Sequence, residues 1–230
     1  LFKRTQHGMV LTPAGADYAR QVAQRLDGLE RDTLDLRGRQ GEGDRIAIVS
    51  VPTFASRWLI PRLPHLARLH PQLQVHIEAR SRPFLFSDLQ VEAALFAGTP
   101  AQLRQWAGTQ ADWLLDEEVV PVCSPALLRG GRAVSPQALA QMPLLQQSTR
   151  PEAWRQWFDA QGVDAEGALG GPRYELFSMQ ASAAEAGLGV ALMPTLLVQE
   201  ELASGRLVVA CNRPLRGQRA YYLVRPEGEA

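Results

Sequence analysis

The sequence predicts an α/β fold built on a parallel sheet and entered through a hairpin and one long helix. Three observations predict it. The first is a βαβ unit. Arg45 to Val51 is an apolar β run, Phe54 to Leu69 carries Leu59, Leu63 and Leu66 on one helical face, and Leu73, Val75, Ile77 and Ala79 alternate with Gln74, His76 and Glu78. The second is the repeated alternation of apolar runs with helical spacings through the rest of the chain. The third is a different period near the N-terminus, where Ala19, Val22, Leu26, Leu29, Thr33 and Leu36 recur at alternating intervals of three and four, the spacing of a coiled-coil seam.

In chain order, Phe2 to Thr5 and Met9 to Leu11 flank a turn at His7-Gly8 and read as a hairpin. Thr12-Pro13 supplies an N-cap and a proline at the first helical position, and the helix then runs to about Arg39 before Gly41-Glu42-Gly43-Asp44 ends it. Packed on its own domain, this would be one amphipathic helix; its length and heptad spacing favour a dimerising linker, with Val22, Leu26, Leu29 and Leu36 as the seam. Beyond the βαβ unit, strands are predicted at Val91 to Ala97, Glu118 to Cys123, Leu144 to Gln146, Leu188 to Met193, Arg206 to Ala210 and Arg219 to Val224. Helices fit at Pro125 to Leu128, Pro136 to Gln141, Pro151 to Gln161, Met179 to Ala186 and Thr195 to Ala203, three of them opened by a proline after Ser or Arg. Within them Trp154, Trp157 and Phe158 share a face that reads as buried, and Gly187-Leu188-Gly189 reads as a helix C-cap and turn.

Composition narrows the function. The 230 residues carry 24 basic and 24 acidic side chains, so there is no global basic field of the kind a self-sufficient nucleic-acid binder has, and any DNA contact must be local. No apolar run is long enough to span a bilayer and the N-terminus lacks a signal-peptide pattern, which predicts a cytoplasmic protein without membrane partners. Because the chain starts at Leu1 inside a strand-like run, an upstream segment is expected. Cys123 and Cys211 have no Cys or His at metal-ligand spacing, and His65, His70 and His76 make no ligand set; buried thiols, no metal site and no cofactor are expected. Asp116-Glu117-Glu118 precede a strand, where adjacent carboxylates point apart, and no nucleophile elbow, P-loop or dinucleotide fingerprint occurs. Nothing here predicts an enzyme.

In open α/β sheets, ligands bind beyond the carboxyl ends of strands, where helix N-termini present free N–H groups. Thr53, Ser148-Thr149 and Ser178 fall at such positions: Thr53 after the first strand, Ser148-Thr149 between a strand and the helix opened by Pro151, and Ser178 before the helix from Met179. Any one of them is most simply an N-cap.

The chain resembles LysR-type transcriptional regulators over essentially its whole length. Leu1-Phe2-Lys3-Arg4-Thr5 through Gly8, then Leu11-Thr12-Pro13-Ala14-Gly15, looks like the wing of that family's winged helix-turn-helix and the start of its linker helix. Trp58-Leu59-Ile60-Pro61-Arg62-Leu63 with His70-Pro71, Val122-Cys123-Ser124-Pro125-Ala126-Leu127, and Ala186-Gly187-Leu188-Gly189-Val190-Ala191-Leu192-Met193-Pro194 are similar to its effector-domain motifs, in the same order. With Phe54 and Trp157-Phe158, they look most like the branch of the glycine-cleavage activator and the β-lactamase regulator. One departure stands out: Phe96, in Glu92-Ala93-Ala94-Leu95-Phe96-Ala97-Gly98, occupies a place where arginine is common.

The resemblance implies a wing remnant at 1–12, a linker helix and hinge at 13–44, and a two-subdomain, periplasmic-binding-protein-like effector domain. Its first subdomain would be 45–117 with 197–230, its second 118–196, the chain crossing near Asp116-Glu117 and Pro194. It implies a ligand-responsive regulator, homodimeric or homotetrameric, whose cleft takes a small anionic or zwitterionic effector at Thr53, Ser148, Thr149 and Ser178, with Phe54, Ser56, Ser81 and Phe177 as weaker additions. Lys3, Arg4 and His7 would reach DNA phosphates in the full-length protein. The competing reading is a periplasmic-type solute-binding protein for a small organic acid or amino acid, disfavoured by the missing secretion signal and the heptad helix.

Overall fold

The structure, a computed structural model, describes residues 1–6, 8–38, 44–82, 84–89 and 91–228. They divide into two compact units, Leu1–Asp44 and Arg45–Ala230.

In the first unit β1 (Phe2–Thr5) and β2 (Gly8–Leu11) pair antiparallel, Phe2 opposite Leu11 and Thr5 opposite Gly8. Helix α1 (Pro13–Gly38) follows at once. Thr12 starts it: its hydroxyl oxygen accepts from the Gly15 N–H at 3.1 Å, while its N–H donates to the Leu1 carbonyl at 2.8 Å. The first turn therefore lies against the start of β1, and Gly15 is required there because a Cβ would sit 2.0 Å from the Leu1 carbonyl oxygen.

The second unit begins with β3 (Arg45–Ser50), then a helical stretch from α2 (Pro52–Phe54) to α3 (Leu63–Leu69), then β4 (Gln74–Ala79) and β5 (Ala93–Gly98). After α4 (Pro100–Arg104) come β6 (Thr109–Cys123), α5 (Pro136–Leu139), β7 (Leu144–Gln147), α6 (Ala153–Ala160) and β8 (Arg173–Tyr174). The chain closes with α7 (Phe177–Glu185), β9 (Val190–Pro194), α8 (Gln199–Ser204), β10 (Val208–Val209) and β11 (Leu215–Pro226).

The helical stretch is not one regular helix. Pro61 and Pro64 cannot donate to carbonyls four residues back, so Ala55–Leu59 widens to a π-turn and Ile60–Arg62 tightens to 3-10 before α3 begins. The Arg62 guanidinium takes up the Trp58 carbonyl at 2.7 Å and lies 4.4 Å over the Trp58 ring.

The strands lie in the order β4-β3-β5-β11-β6-β9-β7-β8, with β10 beside β6. The sheet is mixed rather than wholly parallel. β4, β3 and β5 run parallel, as do β9, β7 and β8, but β11 is antiparallel to β5 and to β6, and β6 antiparallel to β9. The two antiparallel strands at the centre are also the longest. β6 has 15 residues and β11 has 12, where the sequence pattern marks only the apolar six of each, so these two strands lie side by side and carry the chain from one end of the sheet to the other.

Apolar packing follows that layout. Val49, Ala94, Phe96, Trp106 and Val224 form one cluster; Cys123, Leu139, Trp154, Trp157, Phe158 and Val190 form another; Phe54, Leu95, Val122, Leu145, Ala184 and Tyr221 belong to a third. Ala210 and Cys211 pack in the cluster of Trp154. Trp154 and Trp157 bury their rings and donate their indole N–H groups to the Leu145 and Arg213 carbonyls, each at 2.9 Å. Both cysteines are buried free thiols. Helix α7 ends in a Schellman motif: Gly187 has φ 78°, its N–H donates to the Ala184 carbonyl, and the Leu188 N–H donates to the Ala183 carbonyl.

Candidate ligand cleft

The ends of β3, β5 and β7, the start of α7 and the middle of β11 surround a cavity of about 720 Å³, a volume suited to a small molecule. A neighbouring chamber of about 410 Å³ shares Gln147, Thr149, Arg150, Phe177 and Arg219 with it.

Of the residues singled out from sequence, Thr53, Phe54, Ser81, Thr149 and Phe177 line the larger cavity. Ser178 meets Thr53 directly, its N–H donating to the Thr53 hydroxyl oxygen at 3.1 Å. Ser56 and Ser148 do not line the two chambers. The Ser56 hydroxyl donates to the Thr53 carbonyl at 3.2 Å, and Ser148 lies exposed in the turn after β7, its N–H bonded to the Tyr174 carbonyl at 2.8 Å.

The capping roles expected of these hydroxyls differ in the structure. Pro52 is the first residue of α2, so Val51 holds the cap position and Thr53 lies inside the helix. Helix α7 starts at Phe177, with Leu176 at its cap, so Ser178 is already in the first turn. Helix α6 starts at Ala153, so Ser148 and Thr149 belong to the preceding turn. Instead of capping its own helix, buried Thr53 satisfies one of the orphan N–H groups of α7, which is 125 residues further along the chain.

The charged floor of the cleft was not singled out from sequence. Glu117, 4% exposed on β6, accepts both arms of the Arg150 guanidinium, at 2.6 and 2.8 Å. The same guanidinium lies 4.7 Å over the Phe177 ring. Arg219 reaches the cleft from β11, where the pairing with β6 slips between Arg216 and Ala220. A slip of that kind re-aims side chains. Arg219 Nη2 donates to the Ala97 carbonyl at 3.3 Å, while its buried Nε has no partner. Burial, and then the positive charge of Arg150, hold the Arg219 pKa below its ordinary value; Glu117 acts the other way. Tyr221, stacked 4.4 Å from Phe54, has its hydroxyl pKa pushed well up by burial and by the Glu117 charge, so it is a neutral donor. Gln147 is 4% exposed, lines both chambers, and its Oε1 has no partner.

Two hydrogen-bonding guanidiniums, one carboxylate and neutral amide and hydroxyl groups can bind and orient an anion. Among the described residues no group of three or more His, Cys, Asp or Glu is placed to hold a metal ion, and no helix is long and apolar enough to cross a membrane.

In the N-terminal unit Lys3 and Arg4 are exposed on β1, and His7 lies outside the described residues. Val22 is half-buried, Leu26 and Leu29 are 57% and 62% exposed, and the side chain of Leu36 lies outside the described ones.

Known proteins match this arrangement. Residues 39–230 match the family model of the LysR substrate binding domain. The chain is 32% identical over 233 residues to the glycine cleavage system transcriptional activator of Escherichia coli K12, covering 100% of this chain and 74% of that protein. It is 34% identical over 211 residues to the HTH-type transcriptional regulator TrpI of Pseudomonas aeruginosa, covering 90% of this chain and 70% of that one. The solved effector domain of the transcriptional regulator AmpR of Pseudomonas aeruginosa superposes with a TM-score of 0.69 at 26% identity, over 81% of this chain and 87% of that domain.

Proposed function

The chain belongs to the LysR-type transcriptional regulators, and from that premise we propose that a small anionic metabolite, bound in the cleft beside Thr53 and Arg219, sets its regulatory state. The chain contains the effector-binding domain of a ligand-responsive transcriptional regulator, with the family's periplasmic-binding-protein-like fold, and this reading is favoured over a transport receptor. LysR-type regulators bind DNA and small-molecule effectors and form oligomers.

The observation that carries the effector site is the Thr53–Ser178 hydrogen bond beside a cavity lined by Arg150 and Arg219, with Glu117, the partner of Arg150, on the adjoining chamber. It supports subdomains at 45–117 with 197–230 and at 118–196, the chain crossing near Asp116-Glu117 and Pro194, with Thr53 contributed by the first and Ser178 by the second. An effector that binds one relative position of the subdomains better than the other shifts the population toward it, and only that difference in affinity does work. The chain then acts by binding and not by catalysis, in the cytoplasm, on DNA. Residues 1–12 act as a wing whose Lys3, Arg4 and His7 reach phosphates, and 13–44 as a linker whose seam of Val22, Leu26, Leu29 and Leu36 pairs with a second copy. A thermal-shift screen of small carboxylates and amino acids tests the effector site. At least one is expected to raise the melting temperature in the wild type and to lose that effect in Thr53→Val; stabilisation by no anion of any class refutes it.

A further inference from the structure

Which anion the cleft takes is written in three features that lie together. The first is uncompensated charge. Glu117 already holds Arg150 by both arms, so of the two guanidiniums lining the chambers it is Arg219 that has no carboxylate within bonding distance among the described residues. Of the other carboxylates on the two linings, Asp88 and Glu175 in the larger cavity are exposed, where solvent and salt screen them, and Glu152 in the smaller chamber is paired with Arg155. The interior therefore carries one net positive charge. The second feature is buried Gln147, whose unpartnered Oε1 leaves an acceptor waiting for a donor. The third is an aromatic wall. Phe96 meets Trp106 edge-on at 5.4 Å, and Phe84 does so at 5.2 Å; all three line the cavity that Arg219 enters. Arg219 bonds the carbonyl of Ala97, the residue next to Phe96.

Resting on the effector reading above, we propose that the cleft is specific for an aromatic 2-hydroxy carboxylate. Its carboxylate pairs with Arg219, the hydroxyl beside it donates to Gln147, and its ring lies against Phe84, Phe96 and Trp106. Charge separates this class from the corresponding 2-amino acids. A hydroxy acid neutralises the interior's single positive charge, whereas a zwitterion leaves it in place and brings an ammonium group near two guanidiniums.

The test is calorimetry on the whole chain with four probes: 3-phenyllactate, phenylacetate, lactate and L-phenylalanine. Phenyllactate is expected to bind most tightly. Phenylacetate, lacking the hydroxyl, should be about tenfold weaker. Lactate, lacking the ring, should be roughly fiftyfold weaker. Arg219→Gln should weaken phenyllactate by about tenfold or more without lowering the melting temperature, because it removes a buried cation that has no carboxylate partner. Phe96→Leu should narrow the gap between phenyllactate and lactate, and so reads the ring's place separately from the charge. Equal affinity for lactate and phenyllactate, tighter binding of L-phenylalanine, or an unchanged affinity in Arg219→Gln overturns the proposal. So does a screen in which only non-aromatic anions stabilise the chain; that result leaves the effector cleft itself standing, since the cleft fails only when no anion binds.

Discussion

Replacing Glu117 by Gln removes the carboxylate from a pair in which the side chains are only 3% and 10% exposed, leaving Arg150 with a neutral partner beside a second guanidinium, Arg219. Breaking a buried pair on one side costs about 3–5 kcal/mol, because the remaining charge stays desolvated. The Gln amide still accepts one hydrogen bond, and the Phe177 face still lies under Arg150, so the lower end, about 3 kcal/mol, applies here. For a unit of this size each kcal/mol is worth about 2–4 °C, so the melting temperature should fall by roughly 6–12 °C. The double variant Glu117→Leu with Arg150→Met removes both charges together and should recover most of the loss, since apolar replacement of a buried pair is often neutral. Thermal melts followed by circular dichroism read both. A Glu117→Gln melt within about 2 °C of wild type would show that this pair is screened by water, and a double variant as unstable as the single one would show that the loss does not come from an unpaired buried charge.

Trp157, fully buried and bonded through its indole to Arg213, should cost about 3–5 kcal/mol as Trp157→Ala, read by urea unfolding, whereas exposed Met179→Ala on α7 should cost well under about 1 kcal/mol. Burial pushes the Cys123 thiol up to about 11 from an ordinary value of 9.0. Between those values the unfolded chain gives up the proton and the native chain keeps it, so stability falls as pH rises, by about 1.4 kcal/mol per pH unit. Urea midpoints from pH 8 upward should show this slope in the wild type and a shallower one in Cys123→Ala, with identical slopes refuting it. Leu26→Asp with Leu29→Asp should lower the mass measured by light scattering, since both side chains are exposed on the single chain; an unchanged oligomer rules out this seam as the contact that holds it together.

The sequence by itself determined those features that depend on local periodicity or on the chemistry of a single position. Alternation at Leu73 to Ala79 marks β4, Thr12-Pro13 marks the start of α1, and Trp154, Trp157 and Phe158 mark a buried face, because each signal is carried by neighbours a few residues apart. The family motifs, set in order along the chain, carry the regulator reading as well. What only the tertiary structure decided are contacts between residues far apart. The hydroxyl of Thr53 looked like a cap for its own helix and instead serves one 125 residues away. Glu117 looked like part of a solvated acidic run, and becomes the buried partner of Arg150 once β6 extends through Thr109–Cys123 and brings it to the turn after β7. Arg219 looked like the first residue of an ordinary strand; the slipped register between β11 and β6, which no spacing along one strand encodes, sends it into the cleft. Periodicity along a chain says which face a residue takes, but it does not say what stands opposite, and the charge balance of a cleft is set entirely by what stands opposite.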